Sequence, residues 1–247
     1  MFNNQTIEKL LEMRLKSMAG AFSEQSADPA MVNLSFEDRF GMIVDRQWTD
    51  RKNNHISRLM RRATFKFPSA SIEDIEYHPD RKLNKDMLLS LATGKYIQDK
   101  HNITIIGATG AGKTYIGCAL GTTACRQLFT VKYIRLPELL CELAIARGNG
   151  NYQKILDGYK KYQLLIFDEW LLSGLTKMEA FDLFEIIEAR YQNGSTVFIA
   201  QSATAGWYQM IGDSKVADAI LDRIVHNSHE IFIDGIDSMR KRKGFHK

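Results

Sequence analysis

The 247-residue chain has no run of eighteen apolar residues, so no stretch is long enough to cross a bilayer as an apolar helix. Its first twenty residues interrupt their apolar positions with Glu8, Lys9, Glu12, Arg14 and Lys16, and the unbroken apolar centre of a secretion signal is missing. Cysteine is scarce and odd in number. Cys118, Cys125 and Cys141 lack metal-ligand spacing and fall in helical patterns, which reads as reduced core cysteines of a cytosolic protein, not a disulfide framework. His226 and His229 have no further His or Cys spaced to complete a metal site. Internal repeats and low-complexity tracts are absent, and no segment resembles a base-reading recognition helix. Net charge is only mildly positive, +4, so where the charge sits is more informative than its size.

From Asn102 onward, short β-type runs alternate with helical patterns. The runs are Ile103–Ile106, Val131–Ile134, Gln163–Phe167, Thr196–Ile199 and His229–Ile233. Helical stretches at Lys113–Gln127, Pro137–Arg147 and Lys177–Gln192 lie between them. Pro137 suits a first helical position, and Thr176 with Glu179 has capping-box spacing. Such alternation predicts an α/β fold with a parallel five-stranded sheet covered on both faces.

The first hundred residues read differently. Ile7, Leu10, Leu11, Leu15 and Met18 recur at helical spacing, and Ser23–Ala30 reads as a connection. A second helix is expected from Ser35, with Phe36, Phe40, Ile43, Val44 and Trp48 as its apolar face. Pro68 then breaks the pattern. The expectation is a small all-helical domain over 1–67, serving DNA binding and assembly, followed by an ATPase domain over 68–247.

Gly107-Ala108-Thr109-Gly110-Ala111-Gly112-Lys113-Thr114 meets G-x-x-x-x-G-K-[ST] at every fixed position. A predicted strand enters it and a helix leaves it. Glycines there let backbone N–H groups curl toward phosphate oxygens at the positive end of the helix. Lys113 is expected on the β- and γ-phosphates and the Thr114 hydroxyl on Mg²⁺, so ATP and Mg²⁺ are the expected cofactors. Leu164–Phe167 ends in Asp168 and Glu169, at the strand end that opens into the ligand crevice of a parallel sheet. Asp168 is expected to hold Mg²⁺ through its water shell, and Glu169 to orient or deprotonate the attacking water. Gln201, after the fourth run, is placed to position that water. Arg223, within Asp218–Ile224, is a candidate to bridge subunits as an arginine finger.

Between Arg46 and Lys66 the chain has seven basic residues against one acid, Asp50. Arg46, Arg51, Lys52, Arg58, Arg61 and Arg62 are the candidate DNA contacts, with Arg51, Arg58 and Arg62 on one helical face. Arg240, Lys241, Arg242, Lys243 and Lys247 add a terminal cluster without any acid.

The order of these motifs resembles the IstB-like helper ATPases of bacterial insertion sequences, relatives of the helicase loader DnaC. The resemblance runs over nearly the whole chain. It rests on Leu34-Ser35-Phe36-Glu37, Leu91-Ala92-Thr93-Gly94, the phosphate loop, Phe167-Asp168-Glu169, Glu188-Ala189-Arg190-Tyr191, Ala217–Arg223 and Ser238-Met239-Arg240-Lys241. It implies an AAA+ core, ATP-dependent oligomerisation on duplex DNA and cooperation with a cognate transposase. It also implies that Arg223 is the arginine finger and that Arg240 is a second sensor of the nucleotide. One extra residue in Gly235-Ile236-Asp237-Ser238 departs from the family pattern just before Arg240. A DnaC-like helicase loader, a small-molecule kinase and an ATP-binding scaffold without turnover are the alternative readings.

Overall fold

The computed structural model describes residues 2–234 and 239–243, with all of their side chains except those of residues 2, 3, 240 and 243. The chain divides into two compact units, Met1–Arg58 and Leu59–Lys247. No helix among the described residues is long and apolar enough to cross a membrane.

The first unit contains α1 (Phe2–Glu12), α2 (Lys16–Ala27) and most of α3 (Phe36–Ala63). The apolar pattern from Ile7 to Met18 is carried by two helices and not one. Arg14 adopts a left-handed φ of 61°, and Leu15 N–H closes the turn onto the Leu10 carbonyl at 2.8 Å. The expected Ser23–Ala30 connection is shorter than the spacing suggested, because Ser23–Ala27 continue α2. Asp28 then starts a 3₁₀ turn, its carboxylate accepting from Ala30 N–H. Ser35 does cap α3, accepting from Asp38 N–H at 3.1 Å. Gln47 and Arg39 of α3 bond to Met18 and Gln25 of α2. The expected apolar face of α3 is mostly not core: Ile43 is buried, whereas Phe36, Phe40, Val44 and Trp48 are exposed. Phe36 and Phe40 stack on each other instead, with ring centres 5.8 Å apart.

The second unit begins with the last turn of α3, which stops where Thr64 turns left-handed at φ 57°. An extended strap follows to Asn84, whose side chain caps α4 (Lys85–Ala92) through Met87 N–H. Ala70, Ile72 and Ile75 of the strap are buried, and the Thr122 hydroxyl donates to the Ala70 carbonyl at 2.6 Å. After α5 (Lys95–Gln98) come β1 (Asn102–Gly107), α6 (Lys113–Arg126), β2 (Val131–Arg135), α7 (Leu136–Gly148), α8 (Tyr152–Lys160) and β3 (Leu164–Trp170). The chain continues through α9 (Lys177–Arg190), β4 (Ser195–Ala200), α10 (Trp207–Ile211), α11 (Ser214–Val225), β5 (Ser228–Ile233) and α12 (Met239–Lys243).

The five strands form one parallel sheet in the order β2-β3-β4-β1-β5. Side chains alternate across a strand, so one strand feeds two cores. Ile103, Ile105, Leu164, Ile166, Val197 and Ile199 face a core that includes α6 and the strap. Leu165, Phe167 and Phe198 face another, with Trp170, Leu183 and Trp207. The predicted run at 163–167 starts one residue later as a strand, because the Gln163 side chain accepts from Thr130 N–H at 2.9 Å. Pro137 occupies the second, not the first, position of α7. Thr176 and Glu179 form the expected reciprocal capping box on α9. Cys118 and Cys125 are buried, but Cys141 of α7 is exposed, contrary to a core reading of all three.

Candidate functional site

Parallel pairing places the phosphate loop, the acidic strand end and Gln201 at the carboxyl edge of the sheet. β1 delivers Gly107 beside Ile233, where a Cβ would lie 2.2 Å from the Ile233 carbonyl oxygen; only glycine fits. Gly110 and Gly112 have φ of 85° and 92°, the left-handed region that glycine enters without cost. Lys113 folds back over the loop, donating to the Gly107 carbonyl at 2.7 Å and the Ala108 carbonyl at 2.8 Å. Burial pulls its pKa down, opposed by the charge of Asp168. A buried ammonium held by neutral carbonyls is poised for a stronger, anionic partner.

The Thr114 hydroxyl donates to Asp168 Oδ2 at 3.0 Å. The same oxygen accepts from the Tyr133 hydroxyl at 2.6 Å, and Oδ1 accepts from Glu169 N–H at 2.9 Å. Asp168 is therefore buried but well supported. Burial, with the Asp168 bond, pushes the Tyr133 phenol up. Thr114 and Asp168 thus present converging hard oxygen donors, a set that fits Mg²⁺. Glu169 is held with φ 55°, a strained conformation for a residue with a side chain, and its carboxylate accepts from Arg135 Nη2 at 2.6 Å. Arg135 also reaches Glu138, and these two bonds, Glu169 first, raise the guanidinium pKa. Because β4 lies between β1 and β3, Gln201 falls between loop and carboxylates, where it accepts from the Thr109 hydroxyl at 3.0 Å.

On the other side of the loop lies a cavity of ≈ 360 Å³, walled by Phe67, Ile75, Tyr115, Arg81, Gly112 and Met239 among others. It is mostly apolar and opens onto the phosphate loop, as a purine base requires. Gly112 was expected at the site from the loop motif, whereas Phe67, Ile75, Tyr115, Arg81 and Met239 were not, and neither were Tyr133 and Arg135. Tyr133 and Arg135 follow from the register, since Arg135 sits opposite Asp168 on the neighbouring strand. Apart from the loop residues, the cavity wall has no sequence signal, because it is assembled from the strap, α6 and α12.

Arg223 is not brought to this edge. Its carbonyl accepts from Asn102 Nδ2 at 3.4 Å, at the opposite, amino end of β1. Its guanidinium donates to the Ala219 carbonyl, pairs with Glu188 and lies over Phe184 and Tyr191. Arg190, quoted above only as part of a motif, is a buried brace bonded to Thr196, Tyr159, Tyr162 and Ser195. The Arg240 side chain, and all of Gly235–Ser238 and Lys247, lie outside the described residues. Of the basic residues on α3, Arg46 pairs with Glu24, and Lys52 lies 5.0 Å over the Trp48 ring. Arg51, Arg58, Arg61 and Arg62 are exposed.

Comparison with known proteins gives a consistent picture. A family model described as IstB-like ATP binding protein matches residues 8–246. An insertion-sequence ATP-binding protein of Sinorhizobium fredii is 37% identical over 243 residues, 98% of this chain and 98% of that protein. The ATP-binding protein of insertion sequence IS1162 from Pseudomonas fluorescens is 38% identical over 210 residues, 83% of this chain and 91% of that protein. Among solved structures, DnaI superposes with a TM-score of 0.58 at 19% identity, covering 72% of this chain and 93% of that one. DnaA from Aquifex aeolicus, bound to AMPPCP, gives 0.57 at 17%, covering 70% and 52%. These likenesses show the AAA+ P-loop fold.

Proposed function

The chain belongs to the IstB-like ATP-binding protein family, and from that premise we propose that it binds and hydrolyses ATP, oligomerises on duplex DNA and assists a transposase in target selection or DNA transposition. The observation that carries the ATPase reading is the convergence of Lys113, Thr114, Asp168 and Glu169 at one sheet edge. In this reading the loop amides of Gly107–Thr114 and Lys113 hold the phosphates. Thr114 and Asp168 hold Mg²⁺, which when bound neutralises charge on the phosphate oxygens. Glu169 takes the proton of the attacking water once Arg135 releases its carboxylate, and Gln201 orients that water. Arg223 faces away from its own loop, so it serves the site of a neighbouring copy, with Arg240 as the proposed second sensor.

Residues 1–67 form the proposed DNA-binding and assembly domain and 68–247 the ATPase domain. Arg46, Arg51, Lys52, Arg58, Arg61 and Arg62 contact the phosphate backbone without sequence preference. The exposed Phe36, Phe40 and Trp48 support an assembly role for the first unit, since large exposed apolar patches mark interaction sites. The proposed setting is cytoplasmic and DNA-associated.

The test is the mass of the species formed on a duplex fragment with a non-hydrolysable ATP analogue, compared with ADP and with no nucleotide. A large complex requiring both duplex and analogue is expected. A monomer indifferent to duplex DNA refutes the reading, and a stable complex with a replicative helicase would move it to the loader alternative.

A further inference from the structure

Arg81 is a buried cation at the edge of the nucleotide site, only 4% exposed. It closes a 3₁₀ turn, Pro79–Arg81, in the strap before α4, and its carbonyl accepts from Asp234 N–H just beyond β5. Its guanidinium meets the phosphate loop directly. Nη2 donates to the Ala111 carbonyl at 2.9 Å, and Nη1 donates to the Glu76 carbonyl. Gly112 makes this approach possible, since a Cβ there would already lie 3.0 Å from Nη2.

Among the described residues, Arg81 has no anion as a direct partner. Nε is buried and bonded to nothing among the described residues. Of the carboxylates around it, Asp80 pairs with Arg242 and Asp234 with Lys82, while the Glu76 side chain bonds to the His78 ring. Among the described residues, none forms an ion pair with Arg81. Burial accordingly pulls its pKa down more than Glu76 raises it, and Arg242 pushes the same way. Buried charges in proteins are paired, and a guanidinium with a free donor beside a phosphate-binding loop is matched in charge and geometry to a phosphate.

We infer that Arg81 is a nucleotide-binding residue whose guanidinium takes the sugar-proximal phosphate as its counter-ion. Its place in the site selects that phosphate. Thr114 bonds Asp168, where the terminal phosphates belong, whereas Arg81 meets the loop at Ala111 and Gly112, on the wall of the cavity that Lys113 and Thr114 also line. The phosphate that joins sugar to chain lies between the two. Arg81 also links strap and loop through its guanidinium and the segment after β5 through its backbone carbonyl, so the nucleotide and these three segments meet at one residue. The inference rests on the ATP-binding reading above.

The experiment is displacement of a fluorescent ADP analogue by ADP, AMP and adenosine, in wild type, Arg81→Gln and Arg81→Lys. Wild type is expected to prefer AMP over adenosine, and Arg81→Gln to reduce that preference about tenfold or more with adenosine affinity unchanged. Arg81→Lys keeps the cation but loses the fork, so its preference falls by a smaller factor. An unchanged ratio in the variants overturns the inference. An equal loss for adenosine and AMP also overturns it, since that is the signature of a structural brace. Should Arg81→Gln not fold, the ratio in Arg81→Lys decides by the same criterion. Failure of the wild type to bind the ADP analogue at all would instead sink the ATP-binding reading.

Discussion

If ATP is hydrolysed between copies of this chain, two inactive variants must rescue each other. Arg223 lies beside Asn102, at the amino end of β1, while the phosphate loop leaves the carboxyl end at Gly107. Five steps of ~3.3 Å separate these ends by about 17 Å, beyond the reach of a side chain already bonded to Ala219 and Glu188. Arg223→Ala therefore leaves ATP affinity of the isolated chain unchanged and removes turnover by a factor of about 10³–10⁵ in the assembly. Glu169→Gln removes turnover from the other side of the interface and keeps Arg223 intact. In a random equimolar mixture, half of the loops carry Glu169 and half of their neighbours carry Arg223. About one quarter of wild-type activity should return, since only interfaces with both intact halves can stabilise the transferring phosphoryl group. The assay is steady-state phosphate release on duplex DNA across mixing ratios. No rescue at any ratio, or loss of ATP affinity in Arg223→Ala alone, would refute the argument.

Arg135→Ala frees the Glu169 carboxylate from its 2.6 Å bond, so single-turnover hydrolysis without DNA should rise severalfold while ATP affinity stays constant; a fall in both would show that Arg135 only holds the site together. Arg190→Met removes a guanidinium that donates to three carbonyls and the Thr196 hydroxyl, and leaves those buried acceptors unpaired. A loss of about 3–5 kcal/mol in urea denaturation is expected from four acceptors at roughly 1 kcal/mol each, and a loss below ~1 kcal/mol would mean that water replaces the bonds. Nucleotide at 100-fold its dissociation constant should stabilise the folded chain by about 2.7 kcal/mol, read as a rise of several degrees in the melting transition. No rise at saturating nucleotide would contradict the cavity and loop as its site.

The parts of the site that were legible in the sequence are those in which the chemistry is local. Gly107–Thr114 states its own geometry, because the loop's glycines, lysine and hydroxyl are consecutive and the flanking patterns switch from strand to helix. Thr176 with Glu179 is legible for the same reason. Patterning was weaker where periodicity continued through a break: nothing in Ile7–Met18 marks the left-handed turn at Arg14. It failed for α3, where an apolar stripe predicts burial but Phe36, Phe40 and Trp48 are exposed. A stripe reports only that something apolar is to be met, and the partner need not be the same chain.

Strand order is the information a single sequence does not carry, and much of what was missed depends on it. Once β2 is known to lie beside β3, Arg135 falls opposite Asp168, and Tyr133 comes within reach of the same carboxylate. Arg81 is harder still, since an arginine in a short turn after Pro79 looks like an ordinary solvated cation. Its burial against the loop depends on the Arg81–Asp234 backbone bond and on the absence of a Cβ at Gly112. Two buried cations, Lys113 and Arg81, thus flank one loop, both bonded to carbonyls. Among the described residues neither the Lys113 ammonium nor the Arg81 guanidinium bonds a carboxylate, although the charge of Asp168 acts on Lys113 from nearby. Buried cations held by carbonyls alone gain most from an anionic partner, which is the electrostatic argument for a phosphate ligand at this edge.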